Sequence, residues 1–257
     1  MRIILNADDF GQDEDTLKAT IECFQRGALT SATIMPRMPA TRQAIKYAKK
    51  HPEFSFGAHL TFVSDGVESP LSDPKTIPNL VDGDGLFLPS QKVRILALCG
   101  KLPLDQIERE MTAQLAFLRD HGVSISHVDS HGHLHKFRPF VKVLGKVLPK
   151  FGIKRVRTVQ NVYLRKLFGS PTYWMGPIWR QRIMNGFITT DHFFTPTSVL
   201  DARLMHGWMP AATSGATEIG VHPGYAEEWR NEERQALQAF AAIAREAGHH
   251  LITWGQL

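Results

Sequence analysis

The sequence is paced by short apolar runs that end in acid or imidazole side chains. Residues 2–7, Arg-Ile-Ile-Leu-Asn-Ala, form the first of them and stop at Asp8-Asp9. A run this short and this apolar fits a strand covered on both faces, as in a parallel sheet. Similar runs at 54–60, 125–129 and 217–222 deliver His59, Asp129 with His131, and His222. Helical spacing separates them: apolar residues recur every three or four positions in 14–26, 41–50, 104–120, 140–151 and 231–247. Further strands are expected at 32–35, 154–158 and 251–254. Strand followed by helix, repeated, predicts an α/β fold, and its functional side chains belong at the strand ends.

Two stretches break the rhythm. Residues 61–103 carry Gly66, Pro70, Pro74, Pro78, Gly83, Gly85 and Pro89 and read as an irregular excursion; 163–206 read as loops around short helices. At 257 residues the chain matches one catalytic barrel domain with these two excursions. Its hydrophobic share of 43% rules out disorder. The +5 net charge is not gathered into a basic stripe, so no nucleic-acid partner is expected. The cationic residues between Lys136 and Arg182 leave peripheral membrane contact open. No transmembrane segment and no secretory leader is read, and only Cys23 and Cys99 occur, far apart. A cytoplasmic location is expected.

Taken alone, Asp8 and Asp9 could simply cap the following helix. Four strand ends that each offer an acid or an imidazole are harder to explain as caps. Adjacent carboxylates diverge, so one of the two can ligate a metal while the other faces substrate. Residues 127–135 hold His127, Asp129, His131, His133 and His135, of which two or three at most can be ligands. His127, inside its strand, reads as structural. His222 could protonate a leaving group, and Glu218, four residues earlier on the same strand face, could orient it. There is no P-loop, dinucleotide fingerprint or serine elbow.

The motifs Asn6-Ala7-Asp8-Asp9-Phe10-Gly11, Gly57-Ala58-His59-Leu60, Val128 to His135 and Glu218 to Gly224 together resemble the YdjC-type carbohydrate deacetylases, a family that includes chitooligosaccharide deacetylase. The resemblance implies a distorted (β/α) TIM-like barrel with parallel strands, often a homodimer, that removes acetyl from an N-acetylated sugar. It implies Asp9, His59 and His131 as ligands of one divalent ion, Mg2+ or Zn2+, with Asp8 as general base and His222 as acid. Asp129, His133, His135, Arg157 and Glu218 are then candidates to support the ligands or bind substrate. Residues 77–87 also resemble the branch associated with hopanoid biosynthesis, which implies an N-acetylglucosaminyl lipid as an alternative to a chitooligosaccharide. Two other readings stay open: a metallohydrolase of phosphoester or glycosidic bonds, and a non-catalytic sugar- or lipid-binding barrel.

Overall fold

The computed structural model describes residues 1–64, 66, 68–164, 171–203 and 215–257, the side chains of 171 and 172 excepted. Parts of the second excursion, 165–170 and 204–206, lie outside them. A curled sheet of seven strands, all paired in parallel, runs β4-β3-β2-β1-β6-β5, with β7 also on β1. Its strands are β1 (Arg2–Phe10), β2 (Ser31–Ile34), β3 (Ser55–Leu60), β4 (Ile125–Ser130), β5 (His192–Phe194), β6 (Ala216–Val221) and β7 (His250–Leu251). Parallel neighbours need crossovers, and helices provide them: α1 (Glu14–Gln25), α2 (Thr41–Lys50), α3 (Ser90–Leu98), α4 (Leu104–Asp120), α5 (Arg138–Val147), α6 (Pro171–Met184), α7 (Val199–Arg203) and α8 (Glu228–Glu246). This is the distorted TIM-like α/β barrel expected.

Strand β1 lies at the centre, and every residue from Ile3 to Phe10 is buried. Its end does not cap α1. Asp13 does so, accepting the Thr16 N–H at 2.8 Å while Thr16 Oγ1 accepts the Asp13 N–H at 3.2 Å. The carboxylates of Asp8 and Asp9 are therefore free for other work. Close packing also sets the approach of β3 to β4. A Cβ on Gly57 would stand 2.7 Å from the His127 ring and 2.7 Å from its carbonyl, so glycine at 57 is what lets His127 in.

Several elements differ from the sequence reading. The expected strand at 154–158 forms only isolated bridges, Val128 with Val156 and Arg155 with Ile188, so β4 reaches the β5 side of the sheet through single ladder rungs. Within 61–103 the chain forms α3, which buries only Val93 and Ala97 and so offers a faint periodic signal. α6 is a 14-residue helix where loops around short helices were expected; Pro177 inside it masks the pattern. α5 starts earlier than 140, at Arg138 with Pro139 in its first turn, and the expected last strand gives way after Leu251 to a 3-10 turn, Trp254–Gln256. No helix among the described residues is long and apolar enough to cross a membrane.

Candidate metal and hydrolytic site

The carboxyl ends of β1, β3, β4 and β6 meet at one buried polar centre. The register of β1 against β2 slips between Ala7 and Phe10, and Asp9 takes a left-handed backbone with φ 58°. Such a conformation is costly for a residue with a Cβ. Its effect is to turn Asp8 and Asp9 to different partners although they are neighbours in the chain.

Asp9 Oδ1 faces His131 Nδ1 at 3.0 Å and His59 Nε2 at 3.3 Å. The other ring nitrogen of His59 is fixed by Asp129 Oδ1 at 2.7 Å and by Thr33 Oγ1 at 3.2 Å, so Nε2 is aimed at Asp9. His131 enters as the chain leaves β4, where Gly132 and His133 at φ 64° and 54° bend it away. Ligand atoms of Asp9, His59 and His131 all lie within 4.8 Å of one another. One carboxylate and two imidazoles, with a carboxylate behind His59, are a donor set that fits a divalent ion and leaves coordination positions open. As it stands, burial opposes charge on His59, but Asp129, Asp9 and Asp8 outweigh it and hold its pKa up to about 10. A second group with metal-like spacing, Asp8, His59 and Asp129, already has a cation. Arg157 Nη1 sits 2.6 Å from both Asp8 Oδ2 and Asp129 Oδ2.

Arg157 is fully buried and organises this half of the site. Its Nη2 donates to Asp8 Oδ1 at 2.7 Å, making the pair bidentate, and its Nε donates to Glu218 Oε1 at 2.9 Å. Burial works against the Asp8 charge, yet Arg157 wins and holds this carboxyl well below the usual carboxylate range. The Trp254 indole also donates to Glu218 Oε1, at 3.2 Å. Glu218 thus serves Arg157, and burial with Asp8 and Asp129 nearby pushes its pKa up to about 7 against the pull of Arg157. The expectation that Glu218 orients His222 is corrected here, because the two side chains turn to different partners.

Glu233 of α8 orients His222. Its Oε2 accepts the His222 backbone N–H at 2.7 Å and lies 3.1 Å from Nδ1. Nε2 is left facing Asp8 Oδ2 at 3.8 Å. Burial disfavours the imidazolium, but Glu233, Asp9 and Asp8 together raise the His222 pKa above the ordinary histidine value. Arg230, one turn before Glu233, donates from Nη2 to Asp9 Oδ2 at 3.0 Å, leaving Oδ1 for the histidines. Neither residue is among those expected at the site from the sequence. Their signal was available: Arg230 and Glu233 continue the buried stripe of Leu237, Phe240, Ala241 and Ala244 towards the helix start.

The other histidines have separate roles. His127 stacks on Trp254 with ring centroids 4.6 Å apart, a structural role as expected. His135 Nδ1 pairs with Ser130 Oγ at 2.9 Å, and burial draws its pKa down to about 3. The His133 ring packs edge-on against Phe193, centroids 6.0 Å apart.

A family model described as YdjC-like protein matches residues 2–252. A carbohydrate deacetylase of Brevibacillus brevis is 33% identical over 231 residues, covering 89% of this chain and 83% of that one. One from Thermoanaerobacter pseudethanolicus is 28% identical, covering 88% and 82%. A third, from Geobacillus stearothermophilus, is 35% identical over a shorter match of 61% and 60%. Among solved structures, an Enterococcus faecalis protein described as a candidate for cellobiose-phosphate cleavage superposes with TM-score 0.78 at 22% identity, covering 99% and 98%. A family 4 acetyl xylan esterase from Clostridium thermocellum, solved with cobalt, reaches 0.50 at 10% identity, covering 100% of this chain and 89% of that one. At these identities the solved structures speak to the fold.

Proposed function

Because this chain belongs to the YdjC-like family, we propose that it hydrolyses the acetamide of an N-acetylated carbohydrate to a free amine and acetate, using one divalent ion. The observation that carries the reading is the convergence of Asp9, His59 and His131 beside an acceptor, Asp8, and a donor, His222, at the ends of parallel strands. The relatives named carbohydrate deacetylase support the substrate class.

Asp9 Oδ1, His59 Nε2 and His131 would hold the ion, Zn2+ or Mg2+. It would supply Lewis acidity, making an attacking water more acidic and stabilising charge that develops on the amide oxygen. Asp8 takes the water's proton. Arg157 keeps Asp8 ionised and aimed, and also makes it a weak base that gives the proton up readily. His222, whose imidazolium Glu233 favours, donates to the departing nitrogen. Asp129 fixes the His59 ring, and Arg230 holds the outer oxygen of Asp9. A chitooligosaccharide and an N-acetylglucosaminyl lipid are the substrates to compare.

The test is product analysis with both substrates and either ion. Acetate release that disappears in Asp8→Ala and His222→Ala supports the reading. Release of phosphate or of a shortened sugar chain would assign the site to another hydrolase class, and binding without turnover would make the barrel a carbohydrate receptor.

A further inference from the structure

Next to the hydrolytic centre is a small chamber of about 30 Å3 lined by His133, His135, Lys136, Thr158, Gln160 and Phe193. It begins two residues past His131. Phe193, on its wall, lies 4.8 Å from the guanidinium carbon of the Arg157 that grips Asp8.

Among the residues lining this chamber, Lys136, His135 and Thr158 carry donors that no acceptor side chain among the described residues satisfies, whereas the Gln160 amide already donates to the Val162 and Thr195 carbonyls. Lys136 is only 7% exposed, and no carboxylate pairs with it among the described residues. Its ammonium rests over the Trp179 and Phe137 rings at 5.0 and 5.6 Å, and the charged neighbour that acts on it is Arg94, another cation. A buried cation without a counter-ion is unusual because desolvation is left uncompensated. His135 Nε2 and Thr158 Oγ1 are also buried without a hydrogen-bond partner among the described residues. Ser130 Oγ accepts the His135 backbone N–H at 2.9 Å and lies 2.9 Å from His135 Nδ1. In the tautomer where the Ser130 hydroxyl donates to Nδ1, Nε2 carries the ring proton and is a donor. One water needs roughly 10–15 Å3 of such space, so the chamber takes about two oxygen-sized groups.

We propose that this chamber is a small-oxyanion site that receives the two oxygens of a carboxylate such as acetate, with Lys136, His135 and Thr158 as its donors. The oxyanion chemistry stands on these residues; the choice of acetate as product rests on the deacetylation reading above. A phosphate carried by a sugar substrate shares the chemistry and is the alternative source.

Titration of the full chain with acetate, followed by saturation-transfer NMR of its methyl group, and separately with inorganic phosphate, followed by phosphorus NMR line broadening, tests the proposal without turnover. Wild type is compared with Lys136→Met, Lys136→Arg, Thr158→Val and His59→Ala, the last removing the ion as a competing acetate site. Acetate should bind wild type and His59→Ala alike, at least tenfold more weakly in Lys136→Met, with affinity returning in Lys136→Arg. Phosphate binding with the same dependence would keep the site and assign it to a phosphorylated substrate. Absence of saturable binding by either anion, binding unchanged in Lys136→Met, or binding lost in His59→Ala would overturn it. Circular dichroism reports folding; if Lys136→Met unfolds, Thr158→Val, which removes one hydroxyl, decides. Acetate release from substrate is scored separately, so a failure of the deacetylation reading is distinguishable from failure of the anion site.

Discussion

Arg157→Lys keeps the buried positive charge and removes the fork that distributes it. Arg157 makes five short contacts: Nη1 to Asp8 and Asp129, both at 2.6 Å, Nη2 to Asp8 and Glu218, both at 2.7 Å, and Nε to Glu218 at 2.9 Å. An ammonium has three donors, so at least two contacts are lost. Each hydrogen bond to a charged partner contributes about 1.5–3 kcal/mol, so the variant loses about 3–6 kcal/mol. For a chain of this size one kcal/mol is about 2–4 °C of Tm, so melting falls on the order of 10 °C. kcat should fall more than KM rises if Asp8 is the proposed base for the attacking water. The pH dependence has a definite sign. The folded Asp8 pKa is depressed, so its stabilisation is present above the unfolded value of about 4 and is lost as pH falls through the folded value. Weakening the pair raises that folded pKa, and acid unfolding starts at higher pH than in wild type. Thermal melts across pH 3–7, alongside steady-state kinetics, measure both. A lysine variant with wild-type Tm and wild-type acid sensitivity would refute the assignment of Arg157 as organiser of these carboxylates.

Glu233→Gln retains the hydrogen-bonding shape around His222 and removes the charge that raises its pKa, so the alkaline loss of activity moves to lower pH in a kcat/KM profile; an unmoved limb rejects His222 as the acid. Asp129→Asn weakens the support of His59, and metal affinity measured by calorimetry should fall about 10–100-fold, whereas wild-type affinity would dismiss the Asp129–His59 link. Gly57→Ala pushes a methyl into the His127 ring and carbonyl, with a cost of about 1–3 kcal/mol or more in denaturant unfolding; a neutral result would show that β3 and β4 can part without penalty.

The centre of the fold was legible because its strands are continuous apolar runs, and Asp8, Asp9, His59, His131 and His222 were legible because each follows such a run. What split Asp8 from Asp9 was not. It depends on a positive φ at a residue that is not glycine, which leaves no mark in composition or spacing. Arg157 is legible as a candidate to support the ligands or bind substrate, but not as the clamp on three carboxylates, since its partners come from β1, β4 and β6. Arg230 lies outside the helix expected at 231–247, and Glu233, inside it, reads as a solvated charge unless the buried stripe of the helix is followed towards its start. β5, three residues long, and α6, interrupted by Pro177, fall below what periodicity can detect.

In the proposed site Asp9, His59 and His131 hold one divalent ion. Anomalous diffraction from crystals grown with Zn2+, paired with metal analysis of the same protein, tests it most directly. One peak per chain is expected between Asp9 Oδ1, His59 Nε2 and the His131 ring, abolished in His59→Ala. A peak elsewhere, or undiminished stoichiometric binding in His59→Ala, would contradict it.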